Sequence, residues 1–347
     1  MILLSSMLLL RDAQRSDLPG LASLAAELDS VNLPDDPRAL GQIVARSMAS
    51  FSGRIVNPLA RAYVFVAEAP GTGRLVGTSM VIAKHGTRES PCTFFTVAEK
   101  EHYSSSLDRH FRHTVLSLGY HFDGPTEIGG LVVRPGARRG AGRAGTQLSL
   151  VRFLYLAMHP RRFRQTVLAE LMGPLTPGGQ SAFWEAFGRR FTGLDYQVAD
   201  KLSRQNKEFI QQLFPPFDVY ASLLPPAARR ALGAVGSKAR PVRDMLTRLG
   251  FRDVHRIDPF DGGPHYEAPL AEIAPVKAYR SATLEPGPLR GDAPEGLVAR
   301  TLARGPNRFR AVRTPARLAA GRIAIPSQAA RLLCASPGER LHHIPFA

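Results

Sequence analysis

The chain has 347 residues, 45 lysines and arginines against 29 acids, and a formal net charge of +16. That length fits one large domain or one domain with a small appendage, and an apolar content of 44% is ordinary for a protein with a real core. Two cysteines, Cys92 and Cys334, exclude a disulfide scaffold and a multi-cysteine zinc site. The basic residues are dispersed and mostly arginine, with no aromatic-interleaved stripe and no recognition-helix motif. A nucleic-acid-binding protein therefore ranks below compositional drift or an anionic small-molecule partner.

Met1–Leu10 is apolar, but it has no basic leader and Arg11-Asp12 interrupts it. It has neither signal-peptide nor membrane-span layout, and a cytoplasmic setting without membrane contact is expected. Met7–Arg11 reads as a first buried strand. Asp17-Leu18-Pro19 reads as a helix N-cap with an early proline, followed by Leu21, Leu24, Ala25 and Leu28 at helical spacing. The turn 32–37 leads to a second helix, Arg38–Ser50. Tyr63–Glu68 and Leu75–Ala83, joined through Pro70-Gly71-Thr72-Gly73, form a hairpin signature. Residues 84–125 look irregular and rich in histidine and aromatics; His110 and His113, with His102 nearby, suit a surface helix and lack the carboxylate pattern of a metal set. A strand at 127–133 and a helix at 142–158 follow.

Val167–Leu171 reads as a strand, Ala182–Phe191 as a helix, Val219–Leu224 as a strand, Val242–Leu249 as a helix, and Phe251–Ile257 as a strand. Both helices stop at a glycine before an aromatic, Gly188 then Phe191 and Gly250-Phe251. Residues 280–300 carry Pro/Gly clusters typical of a linker. The tail 301–347 has eight arginines against one acid, Glu339, with short β-like runs at Arg308–Val312 and Arg322–Ile325. The chain thus divides into 1–280 and a linker plus small β subdomain at 281–347.

The most informative stretch runs from Thr126 to Gly145. An apolar strand ends at Arg134-Pro135-Gly136, a glycine-rich basic loop follows, and a helix opens near Gly142. Glycines let backbone N–H groups approach an anion, and the helix dipole favours negative charge there. No Gly-Lys-Ser/Thr follows, so it is not a Walker A loop, nor is it a Rossmann fingerprint. Arg139-Gly140-Ala141-Gly142-Arg143-Ala144 resembles the R/Q-x-x-G-x-G/A pyrophosphate loop of the GNAT acyl-CoA N-acyltransferases. The resemblance implies an α+β GNAT-like fold, a mixed and mostly antiparallel sheet flanked by helices, here with a small C-terminal all-β appendage.

Further segments resemble the arginine N-succinyltransferase family, in order from end to end. They include Leu33-Pro34, Tyr63-Val64-Phe65-Val66, Gly77-Thr78, Thr126-Glu127-Ile128, Ala169-Glu170, Ser181-Ala182-Phe183-Trp184-Glu185 and Phe209-Ile210. The most specific is Ile257-Asp258-Pro259-Phe260-Asp261-Gly262-Gly263-Pro264; Phe309–Val312 and Ala335–Arg340 match its final β pieces. The resemblance implies transfer of succinyl from succinyl-CoA to the α-amine of arginine or a related amino acid, in arginine catabolism, with no permanently bound cofactor. It also implies a homo- or hetero-oligomer with a paralogous subunit. Three departures stand out. Gly236 occupies the place of the family's proposed proton-donor histidine, Met172 that of an arginine, and Leu118–Asp123 that of an asparagine-rich segment. A catalytically silent or regulatory subunit is the alternative they raise.

Amine attack on a thioester needs a proton acceptor, donors for the developing oxyanion, and a fixed donor substrate. Glu127, at the start of the strand before the loop, is the candidate general base. Glu170, ending an apolar strand, is a candidate contact for the acceptor's cationic group or a buried ion-pair member. His121 and Tyr220 are candidate acid/base groups. Leu131 and Val133 lie on a strand that in this fold parts from its neighbour, with the Leu131 backbone N–H as oxyanion donor. Arg138, Arg139, Gly140, Gly142, Arg143, Ala144 and Gly145 would hold the pyrophosphate. Asp261-Gly262-Gly263 reads as a tight turn rather than a catalytic element.

Overall fold

The structure, a computed structural model, describes residues 7–346 apart from 29–32, 35, 88–89, 139–141, 204–205, 288 and 306. In chain order the strands are β1 (Leu9–Asp12), β2 (Ala62–Glu68), β3 (Leu75–Ile82), β4 (Cys92–Ser104), β5 (Arg109–His121), β6 (Thr126–Val133), β7 (Thr166–Glu170), β8 (Val219–Tyr220), β9 (Arg252–Ile257) and β10 (Pro264–Pro269). They continue with β11 (Arg280–Leu284), β12 (Glu295–Thr301), β13 (Phe309–Pro315), β14 (Arg317–Ala319), β15 (Arg322–Ala324) and β16 (Arg340–Pro345). The chain folds as two compact units: Met1–Lys84 with Thr126–Gln165 and Pro269–Ala347, and His85–Pro125 with Thr166–Ala268.

The first unit holds a sheet in the order β14-β15-β11-β16-β12-β13-β1-β2-β3-β6. Its pairs are antiparallel except β11 with β15, which is parallel. β1 pairs with β2 on one side and β13 on the other, so the C-terminal strands continue the N-terminal sheet. The stretch read as linker at 280–300 contains β11 and most of β12. Pro286 to Pro294 is only the connection between two strands whose partners lie far away in the chain.

Asp36 caps the helix Pro37–Phe51, accepting from Arg38 and Ala39 N–H, with proline at the first helical position. Asp17 does not cap the preceding helix as expected. A 3-10 turn over Arg15–Asp17 comes first, and the Asp17 carboxylate instead takes both guanidinium arms of Arg11 at 2.7 and 2.8 Å. Leu21, Leu24, Leu40 and Val44 of the two helices bury against Val64, Val66 and Leu75. Each such side chain contributes about 1.5–3 kcal/mol by leaving water. Helix Ala144–Met158 is buried almost all round, the pattern of a helix running through a core. Its Tyr155 meets Tyr63, Phe65 and Phe309 at ring distances of 4.7, 5.4 and 5.3 Å.

The second unit holds the order β7-β10-β9-β4-β5-β8. Its main feature is the long β4–β5 hairpin, Cys92↔His121 through Ser104↔Arg109, which replaces the irregular, partly helical stretch expected there. His110 and His113 are strand residues three apart, so they point to opposite faces. The expected helix Ala182–Phe191 is broken into Ala182–Ala186 and Gly188–Thr192 at Phe187, whose φ −123° and ψ −75° leave the helical region; Gly188 beyond it lies against the Trp184 ring, where a Cβ would approach within 2.3 Å. The strand expected at Val219–Leu224 ends at Tyr220 and turns into a 3-10 helix. Phe95, Phe183, Trp184, Phe187, Phe214 and Phe260 make the core. No helix among the described residues is long and apolar enough to cross a membrane.

Candidate active site

β3 and β6 run antiparallel, with Thr78 opposite Val132 and Met80 opposite Gly129. Between these pairs the register slips, so Ser79 faces both Gly130 and Leu131. Gly130 has φ +57°, and this is a β-bulge, in which the extra residue leaves the ladder and its backbone groups are re-aimed. Helix Ala144–Met158 holds the bulge from behind. Ser79 Oγ donates to the Leu148 carbonyl at 2.8 Å. The Arg152 guanidinium, 3% exposed, bonds Ser149 Oγ at 3.0 Å and reaches the Gly129 carbonyl at 3.5 Å. Burial lowers the Arg152 pKa to about 9. Leu131 is half-buried, and Val133 faces the core.

After β6 comes a short helix, Pro135–Arg138. Arg139 and Gly140 lie outside the described residues, as does the Arg138 side chain. Arg143 opens the long helix from a left-handed conformation, φ 48° and ψ 48°, without capping it, and the first turn holds no acid. The first amide to bond back is Gln147 N, to the Arg143 carbonyl at 3.1 Å. The N–H groups of Ala144, Gly145 and Thr146 precede it, the arrangement that receives anions. Gln147 Nε2 donates to the Gly142 carbonyl at 2.5 Å and closes the turn from inside. The Arg143 guanidinium lies 5.0 Å from the Phe346 ring centre. Among the described residues, a Cβ at Gly145 would meet Val133 Cγ2, at 3.8 Å.

Glu127 is half-buried on β6, two residues from Gly129 and on the same face. A Cβ at Gly129 would sit 3.3 Å from Glu127 Oε1, so glycine leaves that carboxylate its space.

In the second unit, Glu170 ends β7 with its side chain 27% exposed, and its Oε1 lies 3.6 Å from His265 Nε2. Burial lowers the His265 pKa. His121 ends β5 opposite Cys92; its ring is 5.0 Å from Phe94, and burial, with the Arg256 cation, lowers its pKa. Tyr220 is not part of this group. It pairs with Val115, six residues along β5 from His121, roughly 20 Å at the rise of a strand. There its hydroxyl bonds His102 Nε2 at 3.1 Å on an exposed face.

The Asp258–Pro264 segment is a turn. Asp258 Oδ1 accepts from Phe260 and Asp261 N–H at 2.7 and 3.1 Å, and Asp261 accepts from Gly263 and Gly173 N–H at 2.7 and 2.9 Å. Burial pushes Asp261 up to about 6 and Asp258 well above the usual carboxylate range, with Asp261 adding to the latter. Gly236 N–H donates to the Met172 carbonyl at 2.9 Å, and a Cβ on Gly236 would come within 2.5 Å of the Gly173 carbonyl oxygen. The position is shaped for glycine.

Sequence reasoning assigned no site role to Arg152, Asp258, His85, Cys92 or His265. Pro264-His265 directly follows the Phe-Asp-Gly-Gly motif, which was a usable signal for His265. Cys92 and His85 carried none, because only the hairpin shows where they lie.

The mixed sheet, the bulged strand running into a basic loop, and the buried helix beyond it define the class: a GNAT-like N-acyltransferase fold. Residues 8–275 match the family model described as arginine N-succinyltransferase beta subunit, and residues 280–345 match that subunit's C-terminal domain. The chain belongs to the arginine N-succinyltransferase family. It is 35% identical over 285 residues to arginine N-succinyltransferase subunit alpha of Pseudomonas aeruginosa, covering 81% of this chain and 83% of that one. It is 31% identical over 297 residues to arginine N-succinyltransferase of an Enterobacter species, covering 84% and 85%. The solved structure of arginine/ornithine succinyltransferase subunit AI from Pseudomonas aeruginosa matches with a TM-score of 0.84 at 30% identity, over 99% of both chains.

Proposed function

We propose that this chain moves a succinyl or similar acyl group from an acyl-CoA to the α-amine of arginine or a related amino acid. The observation that carries this reading is the Gly130–Leu131 bulge followed by the uncapped start of helix Ala144–Met158, in a chain of this family. The amine nitrogen bonds the thioester carbon, the C–S bond breaks, the ammonium proton leaves to a base, and the thiolate takes up a proton. Backbone N–H at Leu131 serves the oxyanion, and the backbone at Val133 serves the pantetheine arm. Ala144 and Gly145 N–H, with Gly142, Arg143, Arg138, Arg139 and Gly140, serve the pyrophosphate. Glu127 is the proposed base. Glu170 contacts the acceptor's cationic group, and His121 is a secondary proton carrier. The protein acts in the cytoplasm, in arginine catabolism, as an oligomer with copies of itself or a paralogous subunit.

Calorimetry with succinyl-CoA, followed by thiol-release turnover with arginine and ornithine, tests this. Micromolar-range CoA binding and turnover are expected; no binding at millimolar ligand removes the reading. A second reading, a subunit without its own turnover, is favoured by Gly236, where the backbone leaves no room for any side chain. CoA binding without turnover, restored on adding a paralogous subunit, selects it.

A further inference from the structure

Three side chains brought together in the second unit have no part in the pyrophosphate grip. His85 precedes β4, Cys92 is its first residue, and Glu170 is the last residue of β7. One ligand atom from each, a ring nitrogen, Sγ and a carboxylate oxygen, lies within 4.8 Å of the other two. Ligands of a tetrahedral zinc ion stand roughly 3.3–3.8 Å apart, from bonds of about 2.0–2.3 Å. Closing the set therefore needs about 1 Å of side-chain movement. The set is not a surface acidic cluster. Cys92 is buried among Phe94 and Leu168, and His85 and Glu170 are half-buried.

A second observation points the same way. His265 is 1% exposed, and among the described residues its Nε2 has no hydrogen-bond partner. That orphan nitrogen is 3.6 Å from Glu170 Oε1, too long for a hydrogen bond. Buried polar atoms are normally satisfied, and a carboxylate bound to a metal is typically steadied by an outer partner of this kind.

We propose that His85, Cys92 and Glu170 bind a zinc-class divalent ion, with His265 as the outer support of Glu170. One thiolate, one imidazole and one carboxylate suit zinc or cobalt; magnesium and calcium prefer all-oxygen sites. Three protein ligands leave a fourth position for water or a small donor. Binding converts Cys92–SH to a metal-bound thiolate and releases that one proton to solvent. The proposal shares Glu170 with the proposed acceptor contact, but its test reads metal binding and not turnover, so the two readings fail separately.

The test is cobalt(II) titration of the full chain after chelator treatment, read by absorption, with zinc as competitor. One cobalt per chain is expected, with intense visible d–d bands and a near-ultraviolet thiolate-to-metal band, all displaced by one equivalent of zinc. Cys92→Ser should abolish the thiolate band, His85→Gln should weaken binding at least tenfold, and His265→Gln should weaken it by about 10–100-fold. His102→Gln/His113→Gln, on the exposed part of the hairpin, should change nothing; circular dichroism establishes that each variant folds. Should Cys92→Ser fail to fold, His85→Gln decides alone. Absence of the thiolate band, affinity unchanged in His85→Gln, or loss of the site in the hairpin variant overturns the proposal.

Discussion

Two glycine-rich segments, one in each unit, do opposite jobs. Beside helix Ala144–Met158, glycine keeps space open: a Cβ on Gly145 would touch nothing closer than 3.8 Å. In the Phe260–Pro264 turn, glycine lets backbone fill space. A Cβ on Gly263 would fall 2.0 Å from the Leu171 carbonyl oxygen and 2.6 Å from Gly173 N, and one on Gly262 would face a φ of +72°. Among the described residues, the first segment leaves its glycine unobstructed. The second packs its backbone against the residues just after β7, Leu171 and Gly173. A motif glycine is therefore not in itself a sign of a ligand; what its missing Cβ would meet decides.

The largest expected effect follows from that contrast. Gly263→Ala should destabilise the second unit by about 3 kcal/mol or more, since backbone on both sides cannot yield. The measurement is a denaturant or thermal melt; a loss under about 1 kcal/mol would erase the distinction. Next comes Gly130→Ala at the bulge. Its Cβ meets only the flexible Met80 side chain, at 2.9 Å, and the left-handed φ costs about 1 kcal/mol. The melt should move little, while kcat falls roughly 10²-fold as the Leu131 N–H is re-aimed. Equal loss in stability and none in rate would mean the bulge is only structural.

Gly145→Asp sharpens the comparison further. An acid in the first turn favours the helix dipole by about 0.3–1 kcal/mol, so stability should hold or rise. The same charge opposes a phosphate, and CoA affinity should drop at least tenfold. If affinity survives, the anion binds elsewhere.

How much of this could be read from residues alone depended on range. β2, β3 and β6 announce themselves through apolar runs and Pro/Gly turns, and the Ala144 helix through its continuous apolar face, all local signals. The β4–β5 hairpin does not, because from Ala98 to Tyr103 and Arg109 to Arg112 it is exposed on both faces and lacks the alternation of a half-buried strand. Misreading it hid His85 and Cys92. On the site, Glu170 was legible as an acid ending a strand. His85, Cys92 and His265 come from segments far apart in sequence, where no spacing pattern can form. Asp17 misled because a carboxylate ahead of Leu-Pro suits a cap, yet Arg11 and Glu68 close a buried ion-pair network with it first.

The smallest expected effect is on the pH dependence of stability. In the first unit, burial holds His159 down to about 3, with Arg162, His342 and Arg61 adding, and holds His342 down to about 4, with Arg340 adding. An unfolded histidine titrates near 6.5, so below that pH the unfolded chain takes the proton first. The stability from a neutral His159 is complete above about 6.5 and is lost as pH falls toward 3. Buried Asp12 and Asp261 act with the opposite sign. Each is pushed up to about 6, so between 6 and 4 the folded chain takes the proton first and gains stability as pH falls. The net slope is a difference, which makes the variant the informative reading. His159→Gln should flatten the decline of the melting temperature between pH 6.5 and 4.5 relative to the parent, while barely moving it at pH 7.5. Parallel curves for the two proteins would show that the His159 ring is not held neutral by its burial.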